Sequence, residues 1–204
     1  MEKCQINTTA KVRKLDEISL KKSNIRKEKC AKRRALAPDI LKEKSDIICE
    51  KILESDFYKS AKNILIYNAV NGEVMLDRIA DESKGIKKIA CPVCIDKTTM
   101  EAYVPDTEAS YIKGAYGIKE PDINASSRLV PDQIDLIIAP CTAFDKDCKR
   151  LGMGAGYYDR YLKRCTRARA IAAAFEMQRV DSVPCSEHDV SLSAVFTEEK
   201  IYTR

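Results

Sequence analysis

Asp135-Leu136-Ile137-Ile138-Ala139, closed by Pro140, is the stretch from which the fold can be read. Four apolar residues in a row, bounded by turn formers, mark a short strand buried on both faces, as in a parallel sheet. Similar runs occur at residues 63–67, 89–94, 100–104, 168–174 and 194–196. Helical patterns lie between several of them. Ile40, Leu41, Ile47, Ile48, Ile52 and Leu53 recur at helical spacing up to about residue 54, and shorter helices are expected over 75–83 and 157–165. Strands alternating with helices predict an α/β fold, a single three-layer domain with a mostly parallel central sheet flanked by helices. Residues 16–36 contain no Gly or Pro and read as a helix, and Pro38-Asp39 then starts the next one, giving an N-terminal helical hairpin. The expected division is a flexible tail over 1–15 and one domain over 16–204. Residues 105–131 and 140–155 read as loops.

Composition narrows the class. The 204 residues are 45% hydrophobic and 33% charged, the balance of a soluble globular chain. No apolar run approaches the ~20 residues of a membrane helix. The first residues lack the apolar core of a secretory signal, and Glu2, Asp16 and Glu17 are out of place in a transit peptide. A cytoplasmic location is therefore expected. The nine cysteines are odd in number and irregularly spaced, so reduced thiols are expected rather than a disulfide framework. Cys91-Pro92-Val93-Cys94 is the only CxxC, ends a strand pattern, and has no second pair to complete a zinc site, so it reads as two strand cysteines. Charge is uneven: residues 1–44 carry 14 Lys and Arg against 6 Asp and Glu. Such a segment can bind nucleic acid, but with no Trp and 6% aromatic residues stacking platforms are few. No nucleic-acid or membrane partner is expected. Without heptads or a long apolar stripe, a monomer is expected.

In open α/β sheets ligands gather beyond the carboxyl ends of the strands, so the loop after Ala139 is the first place to look for chemistry. It ends Lys149-Arg150-Leu151-Gly152-Met153-Gly154-Ala155-Gly156-Tyr157-Tyr158-Asp159-Arg160. Alternating glycines before a helix expose backbone N–H groups, and Lys149 and Arg150 add positive charge, which suits phosphate oxygens. The loop is neither a Walker A nor a dinucleotide fingerprint. Taken alone it fits a flexible connector as well as an anion cradle. Asp159, at the helix start, could hold a metal ion near phosphates.

This loop, preceded by Ala143-Phe144-Asp145, resembles the 5-formyltetrahydrofolate cyclo-ligase family. Lesser motifs agree in order: Lys22-x-x-x-Arg26 with Arg33, Gly72-Glu73-Val74, Tyr116-Gly117-Ile118-Lys119-Glu120-Pro121, and Pro184-x-x-x-His188-Asp189. The resemblance covers about residues 19–202. It implies ATP- and Mg²⁺-dependent cyclisation of 5-formyltetrahydrofolate to 5,10-methenyltetrahydrofolate, through phosphorylation of the formyl oxygen. It further implies ATP binding by Lys22, Arg26, Arg150, Leu151, Gly152, Met153, Gly154, Ala155, Gly156, Tyr157 and Tyr158. Folate contacts fall on Asn68, Glu73, Met153, Gly154, Ala155, Gly156 and Tyr157, metal binding on Asp159 and Asp189, and catalysis on Arg150 and Tyr157. His188 reads as a neighbour of the metal position. The chain departs from the pattern at Cys141 and Cys148, where glycines are common, at Ala155, where glycine or lysine is frequent, and at Met153, where a basic or aromatic residue is common. The alternative is a folate-binding protein with weak or no turnover.

Overall fold

The computed structural model describes residues 2–107, 109–114, 117–185 and 189–204, with side chains described from residue 16 onward. The elements in order are α1 (Glu2–Arg34), α2 (Pro38–Glu54), α3 (Asp56–Ser60), β1 (Asn63–Leu65), α4 (Asp77–Glu82), β2 (Lys88–Cys94), β3 (Met100–Pro105), β4 (Tyr111–Lys113), β5 (Lys119–Pro121), β6 (Ser126–Leu129), β7 (Leu136–Pro140), β8 (Ala143–Phe144), β9 (Arg150–Leu151), α5 (Tyr157–Leu162), β10 (Arg169–Ala173), β11 (Ala194–Phe196) and β12 (Ile201–Thr203).

Eight strands form one sheet in the order β12-β11-β10-β7-β1-β2-β3-β6. The centre is parallel: β1 pairs with β2 and with β7, and β10 pairs with β7 and β11. Antiparallel strands finish both edges, with β12 on one side and β3 and β6 on the other. Pro92 of β2 lies two residues past Ala90, which pairs with Leu65 and accepts the Ile66 N–H, so the β1–β2 ladder ends where the proline has no N–H to donate.

Successive residues of the central strands point to opposite faces, so the same strands build two cores. Ile64, Leu136, Ile138, Ile171, Ala173, Ala194 and Phe196 join the helix-side cluster with Ile48, Cys49 and Ile52 of α2 and Ile79 of α4. Leu65, Ile137, Ala139, Ala172 and Val195 face the other way, onto Tyr161 and Leu162 of α5. Helices, sheet and helix-plus-loops make the three layers. The side chains of Ile48, Ile52, Ile64, Leu65, Ile137 and Ile138 are fully buried, each stabilising by about 1.5–3 kcal/mol relative to exposure. Ser45 is buried within this apolar face of α2. It is satisfied by donating to the Leu41 carbonyl and accepting from the Met75 N–H.

Several boundaries differ from the sequence reading. The helix expected from residue 16 continues back to Glu2, so the expected tail lies within α1. No Gly or Pro interrupts those residues, and nothing local stops the helix. The expected loop at 105–131 contains β4, β5 and β6, and the expected loop at 140–155 contains the β8–β9 hairpin. These strands are two to four residues long and are stabilised by pairing rather than by a hydrophobic run, so their sequences carry no strand period. The last helix stops at Leu162, short of Cys165. Within the CxxC, Cys91 is buried and Cys94 half-buried, and both are free thiols on β2.

Candidate active site

The chain runs from β1 to β2 on one side and returns through β7 on the other, so the strand order reverses between β1 and β7. Loops leaving such adjacent strands in opposite directions open a crevice at their carboxyl ends. A cleft of about 820 Å³ occupies that position. Its walls gather Lys22 and Arg26, Asn68 and Glu73, residues 150–159, and Asp189, so every expected site residue lines it. His188 and Tyr116 lie outside the described residues.

Helix α1 supplies the cationic wall. Lys22, Arg26, Lys29 and Arg33 are spaced i, i+4, i+7 and i+11, a single stripe on a 3.6-residue helix. The Lys22 ammonium donates to Asp189 Oδ2 at 2.6 Å. Arg26 Nε donates to the Gly152 carbonyl at 2.8 Å. Lys29 Nζ donates to the carbonyls of Met177 and Arg179 at 3.0 and 2.9 Å. Arg33, 1% exposed, donates to the Asn71 and Cys141 carbonyls and lies 3.5 Å from Glu73 Oε1. Thus α1 meets the domain through charged hydrogen bonds. The sequence reading missed Lys29 and gave Arg33 no role, although their spacing from Lys22 and Arg26 was the available signal.

The loop after β7 doubles back as the β8–β9 hairpin. Asp145, 1% exposed, closes it by accepting the N–H groups of Asp147 and Lys149 on Oδ1 and of Val183 on Oδ2. Cys148 sits there at φ +58. A left-handed non-glycine residue costs roughly 1–3 kcal/mol. It is held by Cys148 N–H to Asp145 O and Leu192 N–H to Cys148 O, and it lies in the buried hairpin away from the cleft lining.

The hairpin delivers Arg150 under the end of β7. Its Nη1 donates to the Pro140 carbonyl and its Nη2 to Asp159 Oδ1, both at 3.0 Å. The guanidinium carbon stands 5.7 Å from the Tyr158 ring centroid, within cation–π range. Arg150 Nε and the Tyr158 hydroxyl are buried without a hydrogen-bond partner among the described residues, and burial raises the Tyr158 phenol well above its ordinary range. Two glycines leave room for arginine side chains here. A Cβ on Gly152 would stand 2.9 Å from Arg150 Nη1, and one on Gly154, whose φ is +113°, would stand 3.3 Å from Arg26 Cζ. Gly156, at φ +72°, turns the chain into α5, placing Asp159 in the first helical turn. Tyr157 directs its hydroxyl to the Asp96 carbonyl at 2.8 Å. Met153 is 53% exposed, and its sulfur accepts from the Thr142 hydroxyl.

On the opposite wall, Asn68 Nδ2 donates to the Lys119 carbonyl, joining the end of β1 to β5. Glu73 is buried: Oε1 lies 3.5 Å from Arg33 Nη2, which has no hydrogen-bond partner among the described residues, and Oε2 accepts the Val70 N–H at 3.2 Å. Burial raises its pKa against the opposing pull of Arg33 and that N–H. Among the described residues no three metal-ligating side chains cluster. Asp159 and Asp189 are hard oxygen donors on the same cleft, a set suited to a magnesium ion that takes its other ligands from phosphate and water.

A doubly wound sheet with a cationic, glycine-lined crevice at its switch point defines the class, an open α/β protein with its cleft at the carboxyl ends of the strands. Within that class, the chain belongs to the 5-formyltetrahydrofolate cyclo-ligase family, whose model matches residues 18–198. It is 31% identical over 201 residues to the probable 5-formyltetrahydrofolate cyclo-ligase of Schizosaccharomyces pombe, covering 90% of this chain and 98% of that protein. It is 30% identical over 191 residues to the 5-formyltetrahydrofolate cyclo-ligase of Mus musculus, covering 87% and 94%. The NMR structure of Aquifex aeolicus 5,10-methenyltetrahydrofolate synthetase superposes with a TM-score of 0.80 at 28% identity, covering 89% of this chain and 92% of that one. The 5,10-methenyltetrahydrofolate synthetase of Mycoplasma pneumoniae superposes at 0.72 and 26%, covering 87% and 98%.

Proposed function

We propose that this chain closes 5-formyltetrahydrofolate to 5,10-methenyltetrahydrofolate, consuming ATP in a Mg²⁺-dependent reaction. The observation that carries the reading is the meeting of Lys22 and Arg26 of α1, Arg150 with the glycine loop, and the Asn68–Glu73 wall around one cleft in a family member. In the reaction, the formyl oxygen attacks the γ-phosphorus and ADP leaves. The aniline nitrogen then adds to the formyl carbon, loses its proton, and phosphate departs. Phosphorylation turns a poor oxygen leaving group into a good one.

The residues contribute position and charge, the main levers of phosphoryl transfer. Lys22, Arg26 and Arg150 neutralise phosphate oxygens, and the open backbone of residues 152–156 supplies N–H donors. Arg150 is clamped by Pro140, Asp159 and the Tyr158 ring, so its charge is oriented before substrate arrives. Asp159 and Asp189 would hold Mg²⁺, which when bound offsets phosphate charge. Tyr157 and Met153 wall the cleft. Tyr157 acts by packing, because its hydroxyl is committed to Asp96. The accompanying reading is a cytoplasmic monomer acting on small molecules alone.

The test is an absorbance assay. Purified protein with 5-formyltetrahydrofolate, ATP and Mg²⁺ should generate the methenyl chromophore in the near ultraviolet, and omission of either ATP or Mg²⁺ should abolish the rise. A flat trace from folded protein rejects the reading.

A further inference from the structure

Behind the glycine loop stands Arg160 of α5, which does not line the cleft. Its side chain reaches back past the start of its own helix. Nη2 donates to the Ala155 carbonyl at 2.8 Å, and Nε donates to the Thr98 carbonyl at 2.7 Å. Its guanidinium carbon stands 5.5 Å from the Tyr157 ring centroid, within cation–π range. Gly156 leaves room for the group, since a Cβ there would stand 2.6 Å from Arg160 Nη1. The Tyr157 hydroxyl makes a second link, donating to the Asp96 carbonyl at 2.8 Å and meeting the Cys94 thiol. Residues 95–99, the turn between β2 and β3, receive both links, and this turn is closed on itself. Asp96 Oδ1 accepts the Thr98 N–H at 2.7 Å, the Thr98 hydroxyl at 2.8 Å and the Thr99 N–H at 2.8 Å. The Ile95 N–H donates to the Thr99 carbonyl at 2.9 Å. The bonds to Asp96, that of the Thr98 N–H foremost, hold its carboxyl at about 2, so the turn keeps its anionic acceptor through the neutral range.

Glycines give the loop many shapes of similar energy. Among the described residues, no backbone hydrogen bond involves residues 152–155, so nothing within that segment selects one shape. Two arginines reach it from outside: Arg26 of α1 holds the Gly152 carbonyl, and Arg160 holds the Ala155 carbonyl. A peptide group is planar, so fixing its carbonyl also fixes the N–H on its far side. Arg160 is exposed, and exposed charged contacts add little to global stability. They are still enough to choose among loop conformers of similar energy. We infer that Arg160 is a positioning residue that ties the glycine loop to the closed 95–99 turn and sets the loop's shape before nucleotide binds. The inference rests on the ATP reading above and deepens it by naming what holds the second half of the loop.

The experiment is equilibrium binding of a non-hydrolysable ATP analogue in the presence of Mg²⁺, with thermal unfolding alongside. The full chain is compared with Arg160→Ala, Arg160→Lys, Asp96→Ala and the double variant Arg160→Ala/Asp96→Ala. Arg160→Ala should bind the analogue about 5- to 10-fold more weakly, with its melting temperature within about 2 °C of the unaltered protein. Arg160→Lys keeps the charge but lacks the fork that spans two carbonyls, so it should recover only part of the affinity. Asp96→Ala opens the turn and should weaken binding in the same direction. The double variant should lose no more than the weaker-binding single variant, because both changes break one link. Unchanged affinity in Arg160→Ala overturns the inference, as do full recovery by Arg160→Lys, which would leave charge alone as the cause, and additive losses in the double variant. If the unaltered protein itself binds no nucleotide with Mg²⁺ present, the ATP reading falls, and this inference with it.

Discussion

Gly152→Ala is the sharpest test of how the site is held. The new methyl carbon would stand 2.9 Å from Arg150 Nη1, closer than carbon and nitrogen tolerate without contact strain. Gly152 leads directly into the rest of the glycine loop, and its carbonyl is tied to Arg26, so the side chain of Arg150 is the part that must move. That guanidinium is held by the Pro140 carbonyl and by Asp159, at 3.0 Å each. Displacing it forfeits at least one hydrogen bond of a charged group, worth about 1.5–3 kcal/mol. At 1.36 kcal/mol per tenfold change, kcat/KM for 5-formyltetrahydrofolate closure should fall about 10- to 100-fold. The displaced group can still reach water in the open cleft, so the melting temperature should drop by no more than about 4 °C, corresponding to about 1 kcal/mol. The methenyl absorbance assay gives the rate and thermal unfolding gives the control. The same substitution made in an Arg150→Ala background should cost little more, because the group it displaces is gone. Unchanged kcat/KM in Gly152→Ala, or additive losses in the double variant, would refute the steric argument.

Lys22→Ala should raise the KM for ATP about 10-fold while leaving the KM for folate unchanged, since the ammonium removed contributes one charged contact; a selective effect on folate would reverse the assignment of that wall. Asp159→Asn should raise the Mg²⁺ concentration needed for half-maximal rate by about 10-fold or more, and an unchanged Mg²⁺ titration would remove Asp159 from the metal set. Asp145→Asn replaces an acceptor of buried N–H groups with a donor; urea unfolding should show a loss of about 2–3 kcal/mol, and a loss below about 0.5 kcal/mol would mean the hairpin closes by other means. Glu120 has a raised pKa, so the folded state binds more protons than the unfolded chain and stability falls as pH rises from the ordinary carboxylate range through the raised value. Glu120→Gln lacks that fall. It should therefore be at least as stable as the unaltered protein at pH 8, with the difference narrowing toward pH 4.5, and the opposite trend in urea unfolding would show that the carboxylate is stabilised in the empty cleft.

The central strands were legible because each carries its own apolar run. β11 begins and ends where expected, at Ala194 and Phe196, and β7 is displaced by one residue from the expected 135–139. Helix α2 was legible from its spacing and its Pro38 start. Strands β4, β5, β6, β8 and β9 were not, because residues such as Ser126-Ser127-Arg128 become strand only when Tyr103 and Val104 lie alongside them. The loop after β7 was legible as a site from its glycines and its place in the chain order. The partners of its residues were not legible, because Arg26 and Gly152 lie 126 positions apart in sequence.

By itself the sequence determined the alternation of strands and helices, the crevice-bearing loop, and the family resemblance that assigned roles to Lys22, Arg26, Arg150 and Asp159. These follow from local periodicity and local motifs, which survive in one dimension. Only the tertiary structure decided that Glu73 is buried beside Arg33 with the Val70 N–H on its Oε2, and that Glu120 is buried against the Cys94 N–H. It also decided that α1 joins the body through a stripe of cations, half-buried at Lys22 and Arg26 and buried at Lys29 and Arg33. Both depend on which groups share desolvated space. Whether a buried charge is satisfied or still short of a partner is set by neighbours distant in the chain, which no local pattern encodes.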